Sequence, residues 1–201
     1  MTAAAEDFCR CPWAANDALY VRYHDEEWGV PKTCDIEFFE KMILEGFQSG
    51  LSWITVLRKR EAFRAAFDGF DAARIARYDE AKISELLGNA AIIRHRGKIE
   101  AAVANARAYL ALAGNQSLAA FFWSFVNGEA IQNGFSSMKE VPPETPLSRT
   151  ISKTLKTRGF RFTGPTTTYS LMQACGLVND HLVSCHRHDA CAALARPQIL
   201  A

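Results

Sequence analysis

Gly176-Leu-Val-Asn-Asp-His181-Leu-Val-Ser-Cys185 is the stretch from which the fold can be argued. If this stretch is helical, its histidine and its cysteine lie one turn apart on the same face. Both side chains are good zinc ligands, but two ligands cannot close a tetrahedral site. The chain should therefore supply two more ligands from a distant segment, which would join its two ends around everything between them. The N-terminal candidates are Cys9 or Cys11, together with His24.

Length and composition restrict the class of protein. The chain has 201 residues, of which 49% are hydrophobic, enough for one substantial core or for two lobes that share an interface. The net charge is +1, so a nucleic-acid binder would need its positive charge placed locally. No apolar run approaches the roughly 20 residues of a membrane span. The short, acidic, Ala-rich segment 1–7 does not resemble a signal peptide, and this predicts a cytoplasmic protein. In that compartment the six cysteines favour metal ligation and buried thiols over a disulfide framework.

The periodicity of the apolar residues predicts an all-α fold without a convincing strand. Asp35 is a plausible N-cap for a helix whose apolar stripe runs through Phe47. A second helix is predicted over 53–67, with a basic face. Further helices are predicted over 72–78, 80–87, 98–112, 118–126 and 150–157. Asp71 and Asp79 are expected to be the N-caps of the first two. The basic segment 92–99 is interpreted as a surface loop that connects helices, in preference to a turn that faces phosphate.

Two segments carry residues suited to binding a flat ligand. The aromatic cluster from Tyr20 to Trp28 is either a small satellite core or a stacking wall. Glu45 lies at the edge of the apolar stripe, where a carboxylate either reaches solvent or sits at the lip of a cavity. The residues after it favour the cavity, because most of those as far as Trp53 are small, polar or aromatic.

The segment Arg158–Gly176 predicts two helices joined by a tight hairpin. One helix ends at Gly159. Gly164 and Pro165 then suit the N-cap and the first position of the next helix. Backbone N–H groups at such a turn, together with the helix dipole, form an anion site that fits a DNA phosphate. The alternative is an ordinary pair of packed helices.

Several motifs closely resemble the bacterial DNA-3-methyladenine glycosylase I family, within the helix-hairpin-helix DNA glycosylase superfamily. They are Tyr23-His-Asp-Glu-Glu-Trp-Gly-Val-Pro31, Leu44–Ile54, Ile93–Ile99, Arg158–Phe162 and Tyr169–His181. The resemblance implies one all-α, helix-hairpin-helix glycosylase unit over 8–191. Its parts would be a helical core over about 34–175, with the hairpin motif near 150–176, and a zinc lobe from about 8–33 and 176–191. Flexible tails are expected at 1–7 and 192–201.

The resemblance also implies a structural Zn²⁺. The family's ligands correspond to Cys11, His24, His181 and Cys185. Four protein ligands would leave no open position for a metal-activated water. A competing set would use Cys9, His186, His188 or Cys191.

The family's functional residues can be placed on this chain in the same way. The catalytic residue would be Glu45, in a base-binding pocket with Tyr20, Tyr23, Trp28 and Trp53. Phe47 stands where related sequences often have a polar residue, so we expect it to narrow this pocket or to change how tightly the base is held. The contacts to the DNA backbone would come from Arg158, Gly159, Arg161, Gly164 and Thr166.

The implied activity is base-excision repair of double-stranded DNA that contains alkylated bases. A monomeric, monofunctional hydrolase would flip out 3-methyladenine and release it, leaving an abasic site. No lysine stands where the lyases of the superfamily keep theirs. The identity of the general base is left open. Asp180 is interpreted as a helix cap in preference to a general base. Two other classes remain: a non-catalytic DNA-binding module with a structural zinc, and a zinc enzyme with an open coordination position.

Overall fold

A computed structural model describes residues 9–14, 17–114 and 116–198. These residues are mostly helical, which confirms the predicted class. The helices are α1 (Ala18–Glu26), α2 (Asp35–Gln48), α3 (Trp53–Leu57), α4 (Arg60–Ala66), α5 (Ala72–Ile75), α6 (Glu80–Gly88), α7 (Arg96–Ala113), α8 (Leu118–Ser124), α9 (Pro146–Thr157), α10 (Pro165–Ala174) and α11 (Arg187–Ala192). Short 3-10 turns are formed by Pro12–Ala14 and Asp68–Phe70. Among the described helices, none is long and apolar enough to cross a membrane.

Helix α2 forms the centre of the core. Its apolar side chains recur at helical spacing and are almost fully buried, from Phe38 to Phe47. It packs against α3, α7, α8 and α10. This arrangement places the C-terminal end of α2, and with it Glu45, inside the molecule.

The role of Asp35 differs from its predicted one. Cys34 is the N-cap of α2, and Asp35 occupies the first helical position. Its carboxylate instead accepts hydrogen bonds from the backbone N–H groups of Leu118 and Ala119, at 3.0 and 2.9 Å, and from the Tyr109 hydroxyl. Asp35 therefore satisfies the free N–H groups at the start of α8 and joins two helices that are distant in the chain. The predicted N-caps Asp71 and Asp79 are confirmed at α5 and α6.

Several helix boundaries also differ from the prediction, since α5 ends at Ile75, α8 ends at Ser124 and α9 begins at Pro146. The segment 53–67 is divided into α3 and α4, with a break at Arg58 and Lys59. Helix α7 begins at Arg96, with His95 as N-cap accepting a hydrogen bond from the Lys98 backbone N–H.

The Lys98 ammonium is buried and donates to the carbonyls of Phe47 and Ser49, at 2.8 and 2.6 Å. This lysine of the basic segment thus holds the end of α2 and does not face solvent.

The turn between α9 and α10 is held by buried polar contacts. Gly159 has a φ of +87°, and Gly164 and Pro165 begin α10 as predicted. The side-chain amide of Asn105 donates to the Arg161 carbonyl at 3.1 Å and accepts from the Arg161 N–H at 2.7 Å. The Ser152 hydroxyl donates to the Thr163 carbonyl. These contacts leave the outer surface of the turn exposed and fix its backbone.

The segment that carries His181 and Cys185 is not helical, although a helix was considered because these residues are four apart. Strand β2 (Val178–Asn179) pairs in parallel with β1 (Ile131–Gln132), and an irregular stretch then leads to α11. The two side chains converge because the chain folds back between them.

The described part of the predicted C-terminal tail, 192–198, contacts the rest of the protein. The Ala130 N–H donates to the Ala195 carbonyl at 2.7 Å, and Arg196 forms an ion pair with Glu129. The predicted tail at 1–7 and the final residues 199–201 lie outside the described residues.

Gly176 is the position where an added methyl group is expected to have the largest effect on folding. It has a φ of +72°, and a Cβ there would lie 2.5 Å from the Pro31 nitrogen. The Gly176→Ala variant should lose about 2–5 kcal/mol of unfolding free energy, the sum of about 1–2 kcal/mol for the left-handed conformation and about 1–3 kcal/mol for overpacking. Urea denaturation measures this loss. The control is Gly88→Ala, because a Cβ at Gly88 meets nothing within 4 Å. Equal stability of the two variants would contradict the prediction.

Candidate active site

A cavity of about 250 Å³ opens between α1, α2, α3 and α10. Its walls are mainly aromatic, with one carboxylate and two amides. The lining residues are Trp13, Tyr20, Tyr23, Trp28, Glu45, Gln48, Trp53, Met138, Ser170 and Gln173. The structure thus brings together Glu45 and the four aromatic residues that the sequence placed with it.

The aromatic rings form a continuous wall. The Tyr23 and Trp53 rings are 5.3 Å apart between centroids. Trp13 packs edge-on against Tyr20 at 5.3 Å and against Trp28 at 5.1 Å. The Tyr20 hydroxyl accepts a hydrogen bond from the Ile54 N–H, which ties α1 to the start of α3. A rigid wall of this kind suits stacking on a flat heterocycle.

Glu45 is the chemically distinctive residue of the cavity. Its side chain is on α2 and only 4% of the residue is exposed. Burial raises the pKa of Glu45 to about 8, against the opposing charge of Lys41. Within the described part of the chain, Glu45 Oε2 and Trp53 Nε1 are both buried without a hydrogen-bond partner. Since buried polar atoms are normally paired, this acceptor and this donor are available to a polar ligand in the cavity.

Five lining residues were not assigned to the pocket from the sequence. Trp13 follows Cys11 by two residues, so a ligand at Cys11 could have suggested it. Ser170 and Gln173 are spaced by one helical turn on α10, a weak signal. Gln48 lies in the polar segment that follows Glu45. Met138 belongs to the long connection before α9 and had no signal in the sequence.

Phe47 does not line the cavity. Its ring is 1% exposed and packs in the core against Phe63 at 4.6 Å and Phe67 at 5.7 Å. The reason is the helical geometry of α2, on which Phe47 and Glu45 point about 200° apart. The expectation that Phe47 narrows the pocket is therefore corrected.

Asp180 is neither a helix cap nor exposed to water. Its carboxylate is 1% exposed and accepts hydrogen bonds from Asn133 Nδ2 at 2.6 Å, Tyr169 Oη at 2.7 Å and Gln173 Nε2 at 2.7 Å. It does not line the cavity. A carboxylate with three donors has little capacity left to take a proton from water. Its role here is to orient Gln173, which does line the cavity.

A second cluster lies behind the aromatic wall. Cys11, His24, His181 and Cys185 are buried, and their ligand atoms lie within 4.8 Å of one another, so they could hold a metal ion. A tetrahedral zinc ion separates neighbouring N and S ligands by about 3.5 Å, from bond lengths of about 2.0–2.3 Å. Here the Cys185 Sγ is 3.4 Å from His24 Nε2 and 3.6 Å from His181 Nδ1. The Cys11 Sγ is 3.7 Å from His181 Nδ1.

The surroundings of this cluster orient both imidazole rings. His181 Nε2 is 3.0 Å from the Trp28 carbonyl, which can only accept, so this nitrogen carries the proton and Nδ1 is free to bind a cation. His24 Nδ1 contacts Asp25 at 2.7 Å in the same way, which leaves Nε2 unprotonated, and the Cys11 backbone N–H donates to this nitrogen at 3.4 Å. Such contacts are typical of metal-binding histidines. Hydrogen bonds from Cys11, His181 and His24 hold the pKa of Cys185 well below its ordinary value.

The competing ligands do not join this cluster. Cys9 is exposed, and Cys191 is buried but outside the group of four. His186 contacts the Cys9 carbonyl, and His188 contacts Asp189 and the Asn133 carbonyl. The cluster borders the cavity directly, because the Trp28 ring lies 4.6 Å from the His181 ring.

The residues expected to contact a DNA backbone lie on the turn between α9 and α10. Arg158, Gly159, Arg161 and Thr166 are exposed, and Gly164 is half-buried. The Arg158 guanidinium lies over the Phe121 ring, 5.1 Å from its centroid. This turn therefore offers two exposed arginines beside the N-terminus of α10.

Comparison with known proteins is consistent with this geometry. The family model described as methyladenine glycosylase matches residues 13–188. DNA-3-methyladenine glycosylase 1 of Escherichia coli (strain K12) is 51% identical over 177 residues, which cover 88% of this chain and 95% of that protein. A crystal structure of 3-methyladenine DNA glycosylase I is 53% identical, with a TM-score of 0.88, over 90% of this chain and 100% of that one.

A further solved structure is a variant of 3-methyladenine DNA glycosylase I in complex with 3-methyladenine. It is 32% identical, with a TM-score of 0.85, and the match covers 95% of this chain and 99% of that chain. The match of the family model over most of the chain, together with these identities, shows that this chain belongs to the methyladenine glycosylase family.

Proposed function

We propose that this protein is a DNA glycosylase of base-excision repair that hydrolyses the N-glycosidic bond of 3-methyladenine in DNA. The observation that carries the proposal is the aromatic cavity with the buried, unpaired carboxylate oxygen of Glu45. The relatives named for this activity, one of them in complex with 3-methyladenine, support it.

The cavity suits a cationic purine. Methylation at N3 gives adenine a positive charge and weakens its bond to deoxyribose. A base flipped out of the duplex can stack on Tyr23 or Trp53, and its charge then adds a cation–π contribution. Glu45 can accept hydrogen bonds from the edge of the base and favours its cationic form. Normal adenine is neutral and keeps its glycosidic bond, so discrimination follows from leaving-group reactivity.

The attacking water does not require a strong base in this scheme. The departing base already carries the positive charge, and Asp180 is occupied by three donors. Stabilising that charge up to the transition state helps more than binding the product tightly. Of the described residues that line the cavity, none is a lysine, which supports a hydrolase without Schiff-base chemistry.

Duplex DNA would be held by the α9–α10 turn as a helix-hairpin-helix element. Its fixed backbone, the N-terminus of α10 and the two exposed arginines suit a phosphate. We infer one glycosylase unit over 8–191 that acts as a monomer. A cytoplasmic location remains a prediction.

Arg161→Ala is expected to weaken binding to all duplex sequences alike. The slope of log Kobs against log salt should become shallower by about 0.9, the contribution of one phosphate contact. Fluorescence anisotropy of labelled duplex at several salt concentrations measures this slope. The control is Arg77→Ala, another exposed arginine that lies outside the turn. An unchanged slope in Arg161→Ala would remove this residue from the DNA contact.

The four-residue cluster would hold a structural Zn²⁺. Cys11, His24, His181 and Cys185 supply the two thiolates and two imidazoles of a closed tetrahedral site. When bound, the ion would cross-link the two ends of the chain, and it would have no open coordination position for catalysis. Trp13 and Trp28 lie beside this cluster, so the site would keep the aromatic wall in register with Glu45.

The function is tested by incubating the protein with methylated duplex DNA and identifying the released bases by mass spectrometry. The expected result is free 3-methyladenine and an abasic site. Released 3-methylguanine, if present, would define the lesion range. Duplex binding without release of any base would instead support a non-catalytic DNA-binding module.

A further inference from the structure

Lys41 is a buried cation placed behind the aromatic wall of the cavity. Only 4% of the residue is exposed. Its ammonium lies 4.5 Å from the centroid of the Tyr23 ring and 5.8 Å from that of the Trp53 ring. It does not line the cavity itself. A lysine in this environment is unusual, because burial of an ammonium is costly unless it is paired.

The pairing is supplied by Glu27. The Lys41 ammonium donates to Glu27 Oε2 at 3.0 Å, and the Arg60 guanidinium donates to both oxygens of the same carboxylate at 2.6 and 2.9 Å. Burial alone would raise the pKa of Glu27, but the two cations outweigh it and bring it down to about 2. Glu27 thus stays ionised in the working range of pH, and its charge opposes burial, which lowers the pKa of Lys41.

Lys41 and Glu45 are separated by one turn of α2, a spacing that brings two side chains onto the same helix face. We infer that Lys41 is a positioning residue whose charge increases the ionised fraction of Glu45 in the ligand-free enzyme, so that more of the carboxylate is ready for a cationic base. This inference rests on the proposed function. It adds a residue to the site that neither contacts the base nor lines the cavity.

The other groups around Glu45 do not provide this charge. Tyr20 and Tyr23 face it from α1, and burial raises the pKa of both phenols, so they are neutral. Cys175 faces it from the end of α10, and burial raises the pKa of that thiol as well. Arg60 faces Lys41, but its charge is matched by Glu27. Lys41 is the cation among these groups that acts on Glu45 and lowers its pKa against burial.

The test compares wild type with Lys41→Met, which keeps an unbranched apolar chain and removes the charge. The measurement is kcat/KM for release of 3-methyladenine between pH 6 and 9.5, which reports ionisations of the free enzyme. The acid limb should move to higher pH by roughly one to two units. At pH 7 this is a loss of roughly tenfold or more in kcat/KM. The loss in kcat should be smaller, because the bound base then supplies the positive charge itself.

Lys32→Met is the matched control, because the Lys32 ammonium pairs at 3.7 Å with the exposed Glu37. Its acid limb should coincide with that of wild type. Lys41→Gln also removes the charge but keeps a hydrogen-bond donor for Glu27, and it should show the same shift if Lys41→Met folds poorly. An unmoved acid limb in folded Lys41→Met, or higher activity at every pH, would overturn the inference.

A second measurement is independent of catalysis. Tryptophan fluorescence of the ligand-free protein should titrate with Glu45, because the Trp53 indole lies on the same cavity. The transition should move to higher pH in Lys41→Met and disappear in Glu45→Gln. If wild type releases no 3-methyladenine, the proposed function fails, while this titration still decides whether Lys41 controls the charge of Glu45.

Discussion

Replacing Glu45 with Gln is expected to lower kcat/KM for release of 3-methyladenine by about 10²–10³-fold, the usual effect of removing one group that stabilises transition-state charge. Gln keeps the shape of the side chain but cannot balance a cationic base. Binding to undamaged duplex should be largely unchanged, because the predicted backbone contacts lie on the α9–α10 turn. Single-turnover kinetics on methylated DNA, alongside duplex anisotropy, separate the two effects.

Glu40→Gln is the matched control for this substitution. Glu40 is also a buried carboxylate on α2, but it pairs with Arg64 at 2.7 Å and does not line the cavity. The variant should therefore excise the base normally. If Glu45→Gln excised 3-methyladenine as well as Glu40→Gln does, Glu45 would have no catalytic role.

The raised pKa of Glu45 also predicts an effect on stability. Ionising a buried carboxylate opposes folding, and the pKa of Glu45 rises from the ordinary 4.5 to about 8 in the folded protein. Wild type should therefore lose stability relative to Glu45→Gln as pH rises from about 4.5 to 8, with no further loss from this group above that range. Thermal unfolding of both proteins at pH 5 and pH 8 measures the difference. Ionised Glu45 is thus expected to lower the free energy of unfolding while it serves the proposed function.

The second large effect is expected at the Cys2His2 cluster. Cys185→Ala should lose the bound metal and several kcal/mol of unfolding free energy, because structural zinc binds with about 10–16 kcal/mol in small zinc modules. Excision should fall as well, since Trp28 and Trp13 pack directly against the histidines of the cluster. Metal content by mass spectrometry and urea denaturation give the two readouts.

Cys191→Ala serves as the control for the cluster. Cys191 is buried near the site but is not one of the four convergent ligands. This variant should keep one metal per chain. Stoichiometric zinc in Cys185→Ala would show that Cys191 or a neighbouring histidine is the ligand. The assignment of the four tetrahedral ligands would then be wrong.

Local sequence patterns were sufficient to predict the structure wherever a short segment determines its own conformation. The helices, the caps at Asp71 and Asp79, and the Gly164–Pro165 start of α10 follow from backbone geometry over a few residues. Cys11, His24, His181 and Cys185 were also identifiable, because their ligand chemistry and their motifs are visible in the sequence. The four side chains converge even though the segment of His181 and Cys185 is irregular, where a helix had been considered.

Distant contacts decided the remaining features, and no local pattern could supply them. Asp35 caps α8 and not its own helix, because Leu118 and Ala119 fold onto it. Phe47 faces the core, Asp180 is fully hydrogen-bonded, and Lys41 lies behind Tyr23. Burial, the pKa of an acid and the partner of a charge depend on what the rest of the chain brings to that point. The sequence by itself therefore determined the helices, the family and the identity of most site residues. Only the tertiary structure decided how deeply Glu45 is buried and which charge stands behind it.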